Sequence, residues 1–229
     1  MGTIGVIVLS YNRPRWLGEA LDSARGADQI VIADDGSDFD PLQVASKLQM
    51  EVEIVRNEPI PIAQRMHTPR MGALFNRALD TMHTSYVGYV CDDDVLAQGW
   101  LEAARGWLDD YPQDHMVRGD WHTLTTSRSA FGPGPWALTT GNFVHRLECY
   151  SVEGCRWNEQ ALAVQDALFL TDYLHVHQLP HGGYTVPHVG RLAGWRREHQ
   201  YNLIHFSESL GFADRAASVL GGFMEEGHA

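Results

Sequence analysis

The chain has 229 residues, 44% of them hydrophobic and 20% charged, the composition of an ordinary globular protein with enough length to bury a sizeable core. A formal net charge of −12 argues against a broad electrostatic footprint for nucleic acid. No stretch is apolar for long enough to cross a bilayer, and the opening Met1-Gly2-Thr3-Ile4 lacks a basic leader, so a cytoplasmic protein is the default expectation. Three cysteines (Cys91, Cys149 and Cys155), odd in number and without CxxC spacing, indicate neither a disulfide framework nor a structural zinc site.

Taken in order, Ile4–Leu9 is a strand-length apolar run, followed by Ser10-Tyr11-Asn12-Arg13-Pro14. Proline suits the first turn of a helix, and Trp16, Leu17, Ala20, Leu21 and Ala24 follow at helical spacing. A second apolar strand, 29–33, ends in Asp34-Asp35-Gly36-Ser37; a helix from about Pro41 to Leu48 and a third strand, 52–55, follow. This alternation of strand and helix is the signature of a parallel, doubly wound sheet. Residues 57–70 hold three prolines and no clear period, and are expected to form a loop. From Met71, the spacing of Leu74, Phe75, Ala78, Leu79 and Met82 predicts a helix with Asn76 and Arg77 on another face.

Next comes Tyr86-Val87-Gly88-Tyr89-Val90-Cys91-Asp92-Asp93-Asp94-Val95-Leu96, an apolar run ending abruptly in three carboxylates. The run has the near-continuous hydrophobicity of a strand covered on both faces. Three adjacent like charges repel one another, so a strand end does not collect them for stability. A divalent cation removes that objection, because carboxylate oxygens are hard ligands for Mg²⁺ or Mn²⁺. Open α/β sheets also place their ligands at the carboxyl ends of strands. The plainer alternative is a solvated acidic turn. A helix from about Gln98 to Tyr111 follows, stopped by Pro112. Beyond 112 the pattern loosens: strands are expected around 115–118 and 136–144, a helix over 158–173, and a tail rich in Gly, His and Arg.

Four of these features stand in the order found in glycosyltransferases of the GT-A fold, and the chain most closely resembles their family 2, whose members invert at the anomeric carbon. Ser10-Tyr11-Asn12-Arg13-Pro14 after the first strand resembles that family's first nucleotide-contacting loop, and Ile32-Ala33-Asp34-Asp35-Gly36-Ser37 its Asp-Asp-Gly-Ser signature. Gly72 through Asn76-Arg77 lies where the family has a Gly…Ala-Arg-Asn helix, and Asp92-Asp93-Asp94 where it carries its Asp-x-Asp motif. The resemblance covers roughly the first 110 residues and implies a GT-A-type, Rossmann-like α/β fold. A mostly parallel central sheet would be flanked by helices, with a more irregular C-terminal acceptor half. One domain over 1–229 is implied, with 1–111 holding the nucleotide-sugar and 112–229 the acceptor and catalytic groups.

Residue by residue, the resemblance implies that Asp34 or Asp35 accepts hydrogen bonds from a uracil-type base, that Tyr11 lies against it, and that Arg77 pairs with the diphosphate. Ser10, Asn12, Arg13, Gly72 and Asn76 would line the same nucleotide site. Asp92 would face the ribose, and Asp93 and Asp94 the metal. The family often has Asp at the position of Cys91, which leaves open whether Asp92 and Asp94, or Asp93, hold the ion. In the second half Gln165-Asp166 falls where inverting members place Glu-Asp, making Asp166 the expected general base towards an acceptor hydroxyl. His199 resembles a late histidine that some members aim at the metal or diphosphate, although it is one of twelve histidines. His175, His177, His181 and His188 fit no zinc-ligand spacing.

The expected activity is transfer of a sugar, UDP-linked, to a hydroxyl with the help of Mn²⁺ or Mg²⁺. The acceptor class stays open between a glycan, a lipid-linked sugar, a small molecule, a protein side chain and a hydroxylated nucleobase in DNA, the acidic charge counting against the last. A nucleotidyltransferase ranks lower, because no glycine run follows the first strand. A catalytically silent nucleotide-sugar-binding protein is the third reading, supported by Cys91 and Gln165.

Overall fold

The structure is a computed structural model and describes residues 1–65, 67–123, 141–152, 154–160 and 186–196. An eight-stranded sheet runs in the order β3-β2-β1-β4-β7-β6-β8-β5. β1 (Ile4–Ser10), β2 (Gln29–Asp34), β3 (Glu53–Arg56) and β4 (Tyr86–Cys91) form its parallel half. Beyond β4 the sheet is mixed: β7 (Phe143–Arg146) pairs antiparallel with β4 and with β6 (Met116–Thr123). β8 (His188–Arg196) pairs parallel with β6 and antiparallel with β5 (Asp94–Leu96). The expected mostly parallel sheet flanked by helices is what the chain forms.

Both faces of the parallel half are covered, which explains why its strands lack polar alternation. Successive side chains point to opposite faces. Val6, Val8, Ile30, Ile32 and Val90 pack with Leu17, Ala20 and Leu21 of α1 (Pro14–Ser23) and Trp100, Leu101, Ala104 and Leu108 of α5 (Trp100–Asp110). Ile7, Val31, Ala33, Val87 and Tyr89 pack on the other face with Leu74, Phe75, Ala78 and Leu79 of α4 (Met71–Asp80). α2 (Pro41–Lys47) starts at Asp40, whose carboxylate accepts a hydrogen bond from the Leu42 amide at 3.1 Å, with Pro41 at the first helical position.

One expectation needs adjustment, and two short elements had no counterpart in the sequence reading. The loop over 57–70 contains a one-turn helix, α3 (Ile62–Arg65), too short to leave a period in the sequence. Residues 94–96, for which the sequence suggested no element of their own, form the short strand β5. The short helix α6 (Glu148–Ser151) was also not anticipated. Residues 158–160 are non-helical, and the rest of the helix expected over 158–173 lies outside the described residues, as do 136–140 of the strand expected there. No helix among the described residues is long and apolar enough to cross a membrane.

Candidate active site

The strand order reverses at β1: β2 and β3 lie to one side of it and β4 to the other. Such a switch point opens a crevice at the carboxyl ends of the strands. Ser10 pairs with Asp34 across β1 and β2, and Leu9 with Cys91 across β1 and β4, so the three motif-bearing ends stand side by side.

The loop after β1 is held by the two acidic segments beside it. The Tyr11 amide donates to one Asp92 oxygen at 2.8 Å, and the Arg13 guanidinium pairs with the other at 2.7 Å. Arg13 also reaches Asp93 at 3.5 Å. Asn12 adopts a left-handed φ of 52°, its amide donates to Ser37 Oγ at 3.0 Å, and its side chain exchanges hydrogen bonds with Asp38 at 2.7 and 3.0 Å. The Asp-Asp-Gly-Ser turn needs its glycine twice over. Gly36 has φ 80°, and a Cβ there would meet the Pro59 backbone at 2.9 Å.

The carboxylates are thoroughly partnered. Asp34 accepts from the Ser37 amide at 3.1 Å and from the Ser37 hydroxyl, and pairs with Arg56 at 2.8 Å. Asp35 accepts from Asn57 at 2.6 Å, from Arg70 at 2.8 Å and from Arg65. The Arg65 guanidinium lies 3.3 Å from the centroid of the Tyr11 ring. Sequence reasoning missed Arg56, Asn57, Arg65 and Arg70, whose only signal was cationic and polar side chains scattered around a proline-rich loop opposite an acidic pair.

Burial pushes the Asp92 carboxyl up to about 7, with Asp93 adding to the rise, while Arg13 and the Tyr11 amide pull against it. Burial works against the charge on Arg13, but Asp92, Asp93 and Cys91 more than offset it and raise its pKa.

Cys91 closes β4, Asp92 and Asp93 form the turn, and Asp94 opens β5. One ligand atom each from Cys91, Asp93 and Asp94 lies within 4.8 Å of the others. With metal–oxygen distances of about 2.1 Å and metal–sulfur distances of about 2.3 Å, ligands on opposite sides of one ion stand about 4.4 Å apart. A sulfur and two carboxylates converging at nearly that spacing fit a divalent transition-metal ion. Asp92 stands apart from this group, turned to Arg13 and Tyr11.

The α4 residues lie in different surroundings. Gly72 packs against the backbone of Asn158, with which a Cβ would collide. Asn76 is 4% exposed; its amide accepts from the Trp157 N–H at 3.0 Å and donates to the Trp157 carbonyl at 3.0 Å and to Glu159 at 2.9 Å. Arg77 donates to the Asn57 side chain, which itself holds Asp35. The structure thus gathers Tyr11, Asn12, Arg13, Asp34, Asp35, Asp92, Asp93 and Asp94 around the strand ends, with Ser10 buried beneath them, while Gly72 and Asn76 clamp the 157–159 segment. Asp166 and His199 lie outside the described residues, although the β8–β5 pairing brings the Arg196 backbone opposite Asp94, three residues before His199.

Comparison with known proteins agrees with this arrangement. The family described as glycosyl transferase family 2 matches residues 5–129, more than half of the chain, and the chain belongs to that family. Protein CgeD of Bacillus subtilis (strain 168) is 30% identical over 97 residues, which are 40% of this chain and 23% of CgeD. Among solved structures, S. aureus TarS 1–349 in complex with UDP-GlcNAc superposes with a TM-score of 0.70 at 16% identity, covering 86% of this chain and 59% of that one. Glucosyl-3-phosphoglycerate synthase from Mycobacterium tuberculosis, in complex with Mn²⁺, UDP and glucosyl-3-phosphoglycerate, gives a TM-score of 0.60 at 15% identity, over 89% of this chain and 75% of that one. These likenesses establish a GT-A fold, and the chain spans under two thirds of CgeD and of the TarS fragment.

Proposed function

We propose that this chain transfers a sugar from a nucleotide-linked donor, with uracil as its base, to a hydroxyl acceptor, with inversion and with a divalent metal ion. The observation that carries the reading is the convergence, at one switch point of a family 2 chain, of Tyr11, the Asp34–Asp35 pair and the turn from Cys91 to Asp94. The base would enter over Tyr11, where Arg65 now lies, and would meet Asp35 and the arginines that hold it. Asp93 and Asp94 would hold the ion. When bound, the metal offsets the negative charge that builds on the departing nucleoside diphosphate.

The chain's own groups do the rest. Arg13 fixes the Asp92 carboxylate and so sets the height of the loop beside the ribose. Asp166 takes the proton from the acceptor O–H while that oxygen bonds to the anomeric carbon from the face opposite the diphosphate. The C–O bond to the diphosphate breaks with its electron pair, and configuration inverts. The acceptor would be a glycan, a small molecule or a protein side chain, held by the second half of a single domain. An aromatic such as Trp121 is 2% exposed and belongs to the core rather than to such a surface.

The test is thermal unfolding with a panel of nucleoside diphosphates and UDP-sugars, with and without Mn²⁺. A ligand that binds only the folded state raises the melting temperature. UDP should stabilise the wild type in a Mn²⁺-dependent manner and fail to do so in Asp93→Ala. Asp166→Asn should keep that stabilisation while losing turnover by about 10²–10⁴-fold, the usual contribution of a general base. The absence of any nucleotide-dependent shift would refute the proposal.

A further inference from the structure

Three donors surround the acidic turn, and one of them is sulfur. Asp92, the first carboxylate of the triad, is spent elsewhere: both its oxygens are engaged, by the Tyr11 amide and the Arg13 guanidinium. The group left facing Asp93 and Asp94 is completed by Cys91, the last residue of β4. Cys91 is half-buried, whereas Cys149 and Cys155 are fully buried, so it is the one cysteine of the three with access to solvent. Its backbone at the end of the strand is held by the parallel pairing with Leu9. Arg13, 3.5 Å from Asp93, supplies positive charge beside this group.

We propose that Cys91 ligates the metal through its sulfur, so that this chain has a mixed thiolate–carboxylate centre, selective for softer divalent ions such as Zn²⁺, Co²⁺ or Cd²⁺ over Mg²⁺. The inference rests on the metal-dependent transferase reading above. Coordination replaces the S–H bond by an S–metal bond and releases the proton to solvent, with no change of oxidation state. Soft sulfur ligands favour Zn²⁺-like ions, whereas Mg²⁺ demands oxygen and keeps much of its water. Arg13 bears on the same choice, because its 3.5 Å contact with Asp93 competes with a weakly bound ion more effectively than with a tightly bound one.

The test is optical titration of the whole chain with Co²⁺, with and without UDP, accompanied by calorimetry with Zn²⁺ and Mg²⁺. The wild type should develop an intense thiolate-to-cobalt charge-transfer band that is absent from Cys91→Ser. Zn²⁺ affinity in that variant should fall by at least the roughly 10–100-fold that loss of an outer-shell partner costs elsewhere. Cys91→Asp, with an all-oxygen set, should bind Co²⁺ without the band and gain affinity for Mg²⁺ relative to Zn²⁺. Cobalt bound by the wild type with only weak d–d absorption, or a band that survives in Cys91→Ser, would overturn sulfur ligation while leaving the transferase reading intact. No Co²⁺ binding together with Mn²⁺-dependent stabilisation by UDP would have the same meaning. If neither Co²⁺ binding nor stabilisation by UDP and Mn²⁺ occurs, the metal site and the transferase reading fail together.

Discussion

Asn76 illustrates how a motif residue can carry architecture. Its position on α4 suggested contact with the donor, yet its amide satisfies both the N–H and the carbonyl of Trp157. Trp157 in turn stacks on Phe75, with ring centroids 4.6 Å apart, and donates to the Tyr89 hydroxyl at 3.3 Å. Removing the amide strands two buried backbone groups, and leaving such a group unpaired costs about 1–3 kcal/mol. Asn76→Ala should therefore lower unfolding stability in urea by at least about that amount. Gly72→Ala should also destabilise, by about 1–3 kcal/mol, because the added methyl meets the Asn158 carbonyl. At this scale the sequence revealed which residues matter more clearly than what they touch. The acidic residues announced themselves by improbable crowding. Arg56, Arg65 and Arg70, which neutralise Asp34 and Asp35, did not, because the contacts depend on how a loop folds back over 22–35 positions of chain.

Among the elements, β1, β2, β4, α1, α4 and α5 were legible because each buries a continuous face, and burial imposes periodicity on sequence. α3 and α6 have four residues each, less than the window in which a period can register. β5 has three and is defined by its partner β8, distant in sequence, rather than by its own composition. Among the described residues, the segment bearing α3 is well placed to respond to ligand. It carries Arg65 onto Tyr11 and Asp35 while leaving Ile62 74% exposed. Entry of a base over Tyr11 would re-site Arg65 and draw the segment onto the donor. Limited proteolysis should then cut within 57–70 in the unliganded chain and slow when UDP and Mn²⁺ are added together. Unchanged cleavage would place the donor away from this segment.

Over the whole molecule, stability should depend on pH through a histidine remote from the strand ends. His145 is fully buried on β7 between the Tyr89 hydroxyl, 2.7 Å from Nε2, and the Arg146 carbonyl, 2.7 Å from Nδ1. That arrangement suits the neutral ring with its proton on Nδ1, donating to the carbonyl, and Nε2 accepting from the hydroxyl. Burial lowers its pKa to about 4. The unfolded chain then binds the proton more readily than the folded one between about pH 6.5 and 4, so stability is full above pH 6.5 and declines as pH falls. Over the whole window the loss is on the order of 3 kcal/mol. Urea unfolding at pH 7 and pH 5 should show a drop of about 2 kcal/mol from this group, absent from the change seen in His145→Gln. An identical pH dependence in wild type and variant would assign the acid sensitivity to other groups.

The parallel half of the molecule was legible in outline, and its switch point follows from strand order. The acceptor side was not, because the chain beyond 112 lacks the regular alternation that makes the first half readable. The most direct test of the account is the position of metal and nucleotide in crystals grown with UDP and MnCl₂, located by anomalous scattering at the manganese edge. The account predicts one strong peak between Asp93, Asp94 and the Cys91 sulfur, with the diphosphate beside it and uracil over Tyr11. Manganese bound elsewhere, or UDP bound away from the carboxyl ends of β1, β2 and β4, would contradict it.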